Sequence, residues 1–243
     1  MSGSERQYEP GEPATERVRS IFSGIAPAYD TVNMVASLGI DRLWRRRVVR
    51  MSGVGPDSRV LDLAAGTGDL ALAMARLGRP ALVVATDFVP EMLGIAEDKA
   101  LRAASECDVV FQQADAQDLP FEDESFDVVT IGFGLRNLPD RAANYSEVLR
   151  VLKPGGRYLV LEFSHPPFGP FRAVYGLYLR KFVPVLGWLF SRDAQAYRYL
   201  AESIARFPDQ GSLAREMEDA GFEVEWRNLT GGIVAVHVGV KPA

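Results

Sequence analysis

Ten residues, Val60-Leu-Asp-Leu-Ala-Ala-Gly-Thr-Gly-Asp69, constrain this chain more than any others. Four of the first five are apolar, a run too short for a helix and suited to a buried strand. Gly66 and Gly68 permit a sharp turn whose backbone carries no side chain. Asp69 to Leu77, rich in Ala and Leu, reads as a helix. Strand, glycine turn and helix together offer backbone N–H groups and a helix N-terminus to a nucleotide. The spacing Gly66-x-Gly68-x-x-Ala71 also fits a dinucleotide fingerprint, so the stretch alone leaves the nucleotide open.

Strands and helices keep alternating toward the C-terminus. Ala81 to Thr86 reads as a second strand ending at Asp87, about twenty positions past the turn, where such folds hold ribose hydroxyls. A carboxylate there accepts two hydrogen bonds from a vicinal diol. The structural alternative is an N-cap for the helix that Pro90-Glu91 opens, and the two roles are compatible. Val109 to Gln113 is a third strand, closed by Asp115-Ala116, whose side chain and amide suit an adenine edge. Ser125 to Ile131 is a fourth, leading into Gly132-Phe-Gly-Leu-Arg-Asn-Leu138. Ligands gather at the carboxyl edge of parallel sheets, which is where that glycine-rich Arg136-Asn137 segment falls. Asp140 to Val151 is an amphipathic helix, Leu152 to Gly156 a tight turn, and Arg157 to Phe163 a fifth strand that ends near His165. Helices over Ala194–Phe207 and Asp209–Gly221 precede two alternating strands, Phe222–Leu229 and Ile233–Val240, joined by Thr230-Gly-Gly232. The expected fold class is α/β, a doubly wound, mainly parallel sheet with an antiparallel finish.

The 243 residues suffice for one large domain, expected over residues 17–243, behind a polar, disordered tail at 1–16. A net charge of -5 gives nucleic-acid binding no support. With one cysteine, two distant histidines and no ligand cluster, no metal site is expected. No apolar run reaches the ~20 residues of a membrane span, and a reducing, cytoplasmic setting fits. Val18 to Asp30 has helical spacing that Pro27 is expected to break. Thr31 to Arg50 reads as a second helix, interrupted around Gly39. Both are placed over the sheet edge as a lid. Arg45-Arg46-Arg47 reads as a solvated face with Trp44 inward, the alternative being contact with anionic lipid or a polar head group. Pro166 to Phe190 mixes Phe168, Phe171, Tyr175, Tyr178, Phe182, Trp188 and Phe190 with Arg172, Arg180 and Lys181. It reads either as an inserted aromatic core, interrupted by Pro184 and Gly187, or as an apolar groove or membrane-facing surface.

Val60 to Asp69, Thr86-Asp87-Phe88, Asp115-Ala116, Leu119-Pro-Phe121 and Lys153-Pro-Gly-Gly156 together resemble the S-adenosylmethionine-dependent class I methyltransferases. Phe133-Gly-Leu-Arg-Asn137, Leu161-Glu-Phe-Ser164, Tyr197-Arg-Tyr-Leu-Ala-Glu-Ser-Ile204 with Phe207-Pro208, and Asn228-Leu-Thr-Gly-Gly-Ile233 with His237 narrow this. They resemble the quinone-biosynthesis C-methyltransferases, over about Val18 to Lys241. The resemblance implies a seven-stranded Rossmann-like sheet with the last strand antiparallel. It implies S-adenosylmethionine held by Asp62, Gly66, Thr67, Gly68, Asp87, Asp115, Ala116 and the position of Gly132, where a hydroxyl residue is common in the family. It implies a polyprenylated quinol substrate: demethylmenaquinol in menaquinone biosynthesis, or 2-polyprenyl-6-methoxy-1,4-benzoquinol in ubiquinone biosynthesis. Transient contact with the inner leaflet of a membrane and a homodimer are further expectations.

For methyl transfer to a quinol carbon, Arg136 is expected to stabilise the developing phenolate and Asn137 to fix that oxygen or its loop. His165 is the candidate base or proton relay, with a satisfied structural histidine as its alternative. The rival readings are an NAD-dependent oxidoreductase, which lacks a Tyr-x-x-x-Lys pair here, and a non-catalytic scaffold that kept the fold.

Overall fold

A computed structural model describes residues 14–103, 107–191 and 194–243, with backbone alone at positions 14, 15, 17, 28, 184, 186–191 and 194–197. The expected tail thus falls largely outside the described residues, although a helix already begins at Ala14, inside it.

Seven strands form one sheet: β1 (Arg59–Leu63), β2 (Leu82–Asp87), β3 (Asp108–Gln113), β4 (Phe126–Gly132), β5 (Leu152–Phe163), β6 (Glu223–Leu229) and β7 (Val234–Val240). Their order is β3-β2-β1-β4-β5-β7-β6. β1 to β5 are mutually parallel, and β7 runs antiparallel to both β5 and β6. The near-continuous apolar runs of β1, β4 and β7 reflect burial on both faces. The edge strands β3 and β6 are mostly exposed.

The glycine turn after β1 leads into α3 (Asp69–Ala73), which continues as a π-helical turn over Met74–Gly78. α4 (Pro90–Ala103) follows β2, α5 (Arg141–Val151) follows β4, and α8 (Gln210–Asp219) precedes β6. Asp140 caps α5 by accepting from the Ala143 amide at 3.0 Å, as its sequence position suggests. The turn expected at Lys153–Gly156 is a bulge inside β5. Leu152 pairs with Phe126, yet Arg157 pairs with Val128, so the residues between loop out. Main-chain bonds from Gly155 and to Gly156, both with Lys241, hold the loop in place.

Three helices form a separate apolar layer: α1 (Ala14–Ser37), α6 (Gly169–Ser191) and α7 (Ala194–Arg206). α1 runs unbroken through Pro27, and α6 through Pro184 and Gly187, against the sequence expectation. The reason is tertiary. Ile21, Ile25 and Val32 of α1 face Tyr175, Leu179 and Val183 of α6, and each of these residues is at most 8% exposed. Burying that seam offsets the local penalty of a proline, about 3 kcal/mol. The interruption near Gly39 is present: Leu38 and Gly39 both take positive φ before α2 (Asp41–Ser52) begins. Among the described residues no helix is long and apolar enough to cross a membrane.

Candidate active site

The carboxyl ends of β1 and β4 approach so closely that a Cβ on Gly134 would sit 2.6 Å from the Ala64 Cβ. Ala64 itself turns the chain with φ +47°. Beyond it Gly68 adopts φ +80°, and a Cβ there would meet the Ala96 Cβ of α4 at 2.9 Å. Side chains are thereby kept off the turn. Asp87 ends β2 and performs a double task. One carboxylate oxygen accepts from the Gly66 amide at 2.7 Å, and the other from the Val89 amide at 2.8 Å, at the start of α4. Burial raises its carboxyl pKa, and these amides oppose the shift. Cap and turn-holder coexist in one side chain, with lone pairs left for a ligand.

Gly66, Asp87, Asp115, Ala116 and Gly132 border one cleft, as their motifs predict, and Asn137 joins them. Phe22 and Tyr29 of α1 roof it, leaving about 90 Å³. Three predicted contacts are not among the residues that border this cleft. Asp62 is fully buried beneath the crest. Thr130 Oγ1 donates to its Oδ1 at 2.6 Å, and its Oδ2 has no partner among the described residues. Burial pushes that carboxyl up to about 7. Thr67 donates to Asp30 of α1 at 2.5 Å. Lys99 completes the cluster, bonding Asp30 at 2.8 Å and also Asp69. Gly68 shapes the turn without bordering the cleft.

A second cavity of about 550 Å³ lies between α1, α2, α6, α7 and the end of β4. Its walls are predominantly apolar, and it meets the first at Phe22, Tyr29 and Phe133. Arg136 borders it, with its charge already engaged. Nη1 donates to Glu162 Oε1 at 2.8 Å and to Oε2 at 3.1 Å, and also to the Phe133 carbonyl. The guanidinium stands 5.4 Å from the Phe163 ring centre, and its Nε has no hydrogen-bond partner among the described residues. Burial raises the Glu162 carboxyl pKa, and Arg136 opposes the shift. Asn137 accepts from the Tyr199 hydroxyl at 3.2 Å.

His165 is not brought to either cavity. Its Nε2 lies 2.9 Å from the Phe207 carbonyl, and its own carbonyl accepts from Gln210. That contact matches the structural alternative for this histidine. Trp188, Phe190 and Tyr197 have side chains outside the described residues. Reasoning from sequence passed over Phe22, Tyr29 and Glu162 as site residues. Only the aromatic character of the first two and the end-of-strand position of the third signalled them.

The sheet order and the cleft at its carboxyl edge define a class I methyltransferase fold. Solved structures share it: the [4+2]-cyclase SpnF at a TM-score of 0.72 and 18% identity, covering 98% of this chain and 100% of that one. Phosphoethanolamine N-methyltransferase 2 of Haemonchus contortus, solved with S-adenosyl-L-methionine, matches at 0.58 and 16%, covering 82% and 52%. The sequence model of the ubiE/COQ5 methyltransferase family matches residues 12–241. The ubiquinone/menaquinone biosynthesis C-methyltransferase UbiE of Ectopseudomonas mendocina (strain ymp) is 48% identical, covering 97% of this chain and 93% of the relative. That of Cellvibrio japonicus (strain Ueda107) is 46% identical, covering 97% and 96%. The chain belongs to the ubiE/COQ5 methyltransferase family. Its cofactor is S-adenosylmethionine. The residues fit that group: a backbone cradle at Gly66 and Gly68 kept clear of side chains, a carboxylate at Asp87, and Asp115-Ala116 beyond it.

Proposed function

We propose that this protein C-methylates a polyprenylated quinol, demethylmenaquinol in menaquinone biosynthesis, with 2-polyprenyl-6-methoxy-1,4-benzoquinol as the alternative. The observation that carries the reading is the large apolar cavity meeting the cofactor cleft at Phe133. A dinucleotide-dependent oxidoreductase does not call for a hydrocarbon-sized chamber there.

When bound, S-adenosylmethionine supplies a methyl group already activated by its sulfonium. Asp87 would hold the ribose hydroxyls, Asp115 and the Ala116 amide the adenine, and Gly66 and Gly132 the close backbone approach. Phe22 and Tyr29 lie over the cleft and exclude water from the reacting atoms. The cavity walls orient the quinol ring so that its carbon meets the methyl in line. Arg136, held by Glu162, presents the positive end of a buried dipole to the quinol oxygen as its hydroxyl proton passes to solvent and negative charge grows there; the ring C–H proton returns to that oxygen when aromaticity is restored. Asn137, steadied by Tyr199, faces the junction from the cofactor side.

The tail would leave through a rim where Leu38 is 84% and Val174 65% exposed, although both border the cavity. Leu177, Phe182, Arg172, Arg180 and Lys181 continue this face as an apolar and basic surface suited to an anionic leaflet. Liposome flotation of Leu38→Ser with Phe182→Ser tests it, and undiminished flotation would remove the membrane contact.

Calorimetry with S-adenosylmethionine against NADH, followed by mass spectrometry of both quinols after incubation, tests the function. Deleting the gene should accumulate a quinone one methyl lighter. Binding of NADH alone would overturn the proposal.

A further inference from the structure

Tyr175 sits in the middle of α6, 8% exposed, and borders the apolar cavity. Its hydroxyl has no hydrogen-bond partner among the described residues. Tyr158, Tyr178 and Tyr199 each find an acceptor, at 2.8, 2.8 and 3.2 Å, while Tyr145, which borders neither cavity, also has none among the described residues. A buried hydroxyl without a partner lowers stability, and native proteins keep few of them. A phenylalanine would fill the same volume without that penalty.

The cavity holds a second unpaired donor, the Nε of Arg136, just past the end of β4. The two side chains sense each other electrostatically: burial raises the Tyr175 hydroxyl pKa well above its ordinary value, and the Arg136 charge opposes the shift. The phenol therefore stays protonated and can donate. Two unpaired donors within predominantly apolar walls match a ring that carries two oxygens and a hydrocarbon tail. A cavity meant only for hydrocarbon has no use for either.

We infer that Tyr175 is a specificity-determining residue whose hydroxyl donates a hydrogen bond to an oxygen of the quinol ring, while Arg136 serves the other. This rests on the quinol reading above. The hydroxyl fixes the ring's rotation about its tail and thereby chooses which ring carbon faces the methyl group. It also rejects apolar rings of the same shape, because these leave the phenol unpaired.

The test is Tyr175→Phe in the full chain. For the quinol, kcat/KM should fall ~10–100-fold, the worth of one hydrogen bond to an oxygen gaining charge. Affinity for S-adenosylmethionine by calorimetry should be unchanged. Affinity for a prenylated naphthalene without ring oxygens should not fall, because the aromatic ring of residue 175 stays in place. The urea midpoint of the ligand-free variant should equal or exceed that of the wild type, since an unpaired buried hydroxyl has gone. Full activity of Tyr175→Phe on the quinol overturns this inference alone. An equal loss of affinity for quinol and hydrocarbon overturns it as well, because packing would then be the residue's role. A wild-type protein that binds S-adenosylmethionine and leaves both quinols unmethylated overturns the quinol reading together with it.

Discussion

Arg136 and Glu162 form a buried ion pair at the crest of the sheet, Nη1 to Oε1 at 2.8 Å, with side chains 4% and 2% exposed. Glu162 also accepts from the backbone amides of Arg136 and Phe163, so the pair locks the 3-10 turn Leu135–Asn137 onto β5. The cation that the sequence places at the reacting ring is thus already compensated. The contribution to methyl transfer proposed for it is that of an oriented dipole, which needs no reorganisation as charge develops.

Removing one partner leaves a buried charge alone. Arg136→Met and Glu162→Met should each lose about 3–5 kcal/mol of stability, whereas the double variant should lose less than either. Urea unfolding of the three variants measures this. Activity of the double variant should be far below wild type while S-adenosylmethionine affinity is retained. Additive losses in stability would mean that the two residues act independently.

The contact of Ala64 with Gly134 controls whether the cleft can exist. Gly134→Ala should lose about 1–3 kcal/mol and weaken cofactor binding, since its Cβ would overlap that of Ala64. Ala64→Gly in the same chain removes the overlap and relieves a positive φ. The double variant should therefore recover stability and affinity relative to Gly134→Ala. Calorimetric titration with the cofactor reads the recovery.

The cleft of about 90 Å³ is smaller than the ~300–1,000 Å³ of ordinary ligand sites, and α1 roofs it, so cofactor binding is expected to displace α1. Asp30, Thr67, Asp69 and Lys99 hold it down. Lys99 and Asp30 are partly exposed, 25% and 42%, so the pair contributes only ~0.2–1 kcal/mol. Lys99→Met should speed cofactor association by about two- to fivefold with little change in Kd. Added salt should speed the wild type and leave the variant unaffected. Stopped-flow fluorescence resolves both.

Asp62 makes stability pH-dependent. Burial raises its carboxyl from the ordinary ~3.9 to about 7, so the folded protein binds this proton more tightly than the unfolded chain. The contribution is fully present below pH ~4 and is lost as pH rises through about 7. Asp62→Asn, still able to accept from Thr130, removes this dependence. The stability of the variant relative to wild type should rise by ~2–4 kcal/mol between pH 4 and pH 8, read as urea midpoints. A constant difference across that range would place the titration elsewhere.

Much of the cofactor side was legible because it is local. Strand, glycine turn and helix are contiguous in the chain, and Asp87, Asp115 and Gly132 each stand at or just past the end of a strand whose direction the alternating pattern settles. The substrate side was far less legible. The contact of His165 Nε2 with the carbonyl of Phe207, 42 positions away, has no local signal. Nothing in the local pattern around Thr67 shows that its hydroxyl donates to Asp30, 37 positions earlier. Nothing in the local pattern around Glu162 marks it as the partner of Arg136, 26 residues earlier.

By itself the sequence determined the parallel sheet, the antiparallel finish and the glycine turn at the sheet's crest, because period, glycines and chain-end chemistry act between near neighbours. The tertiary structure alone decided that α1 and α6 run straight through their prolines, that they enclose an apolar chamber, and that Arg136 meets it already neutralised. Those outcomes depend on burial between segments far apart in the chain, and the free energy of such burial exceeds the local preferences that a linear reading can weigh.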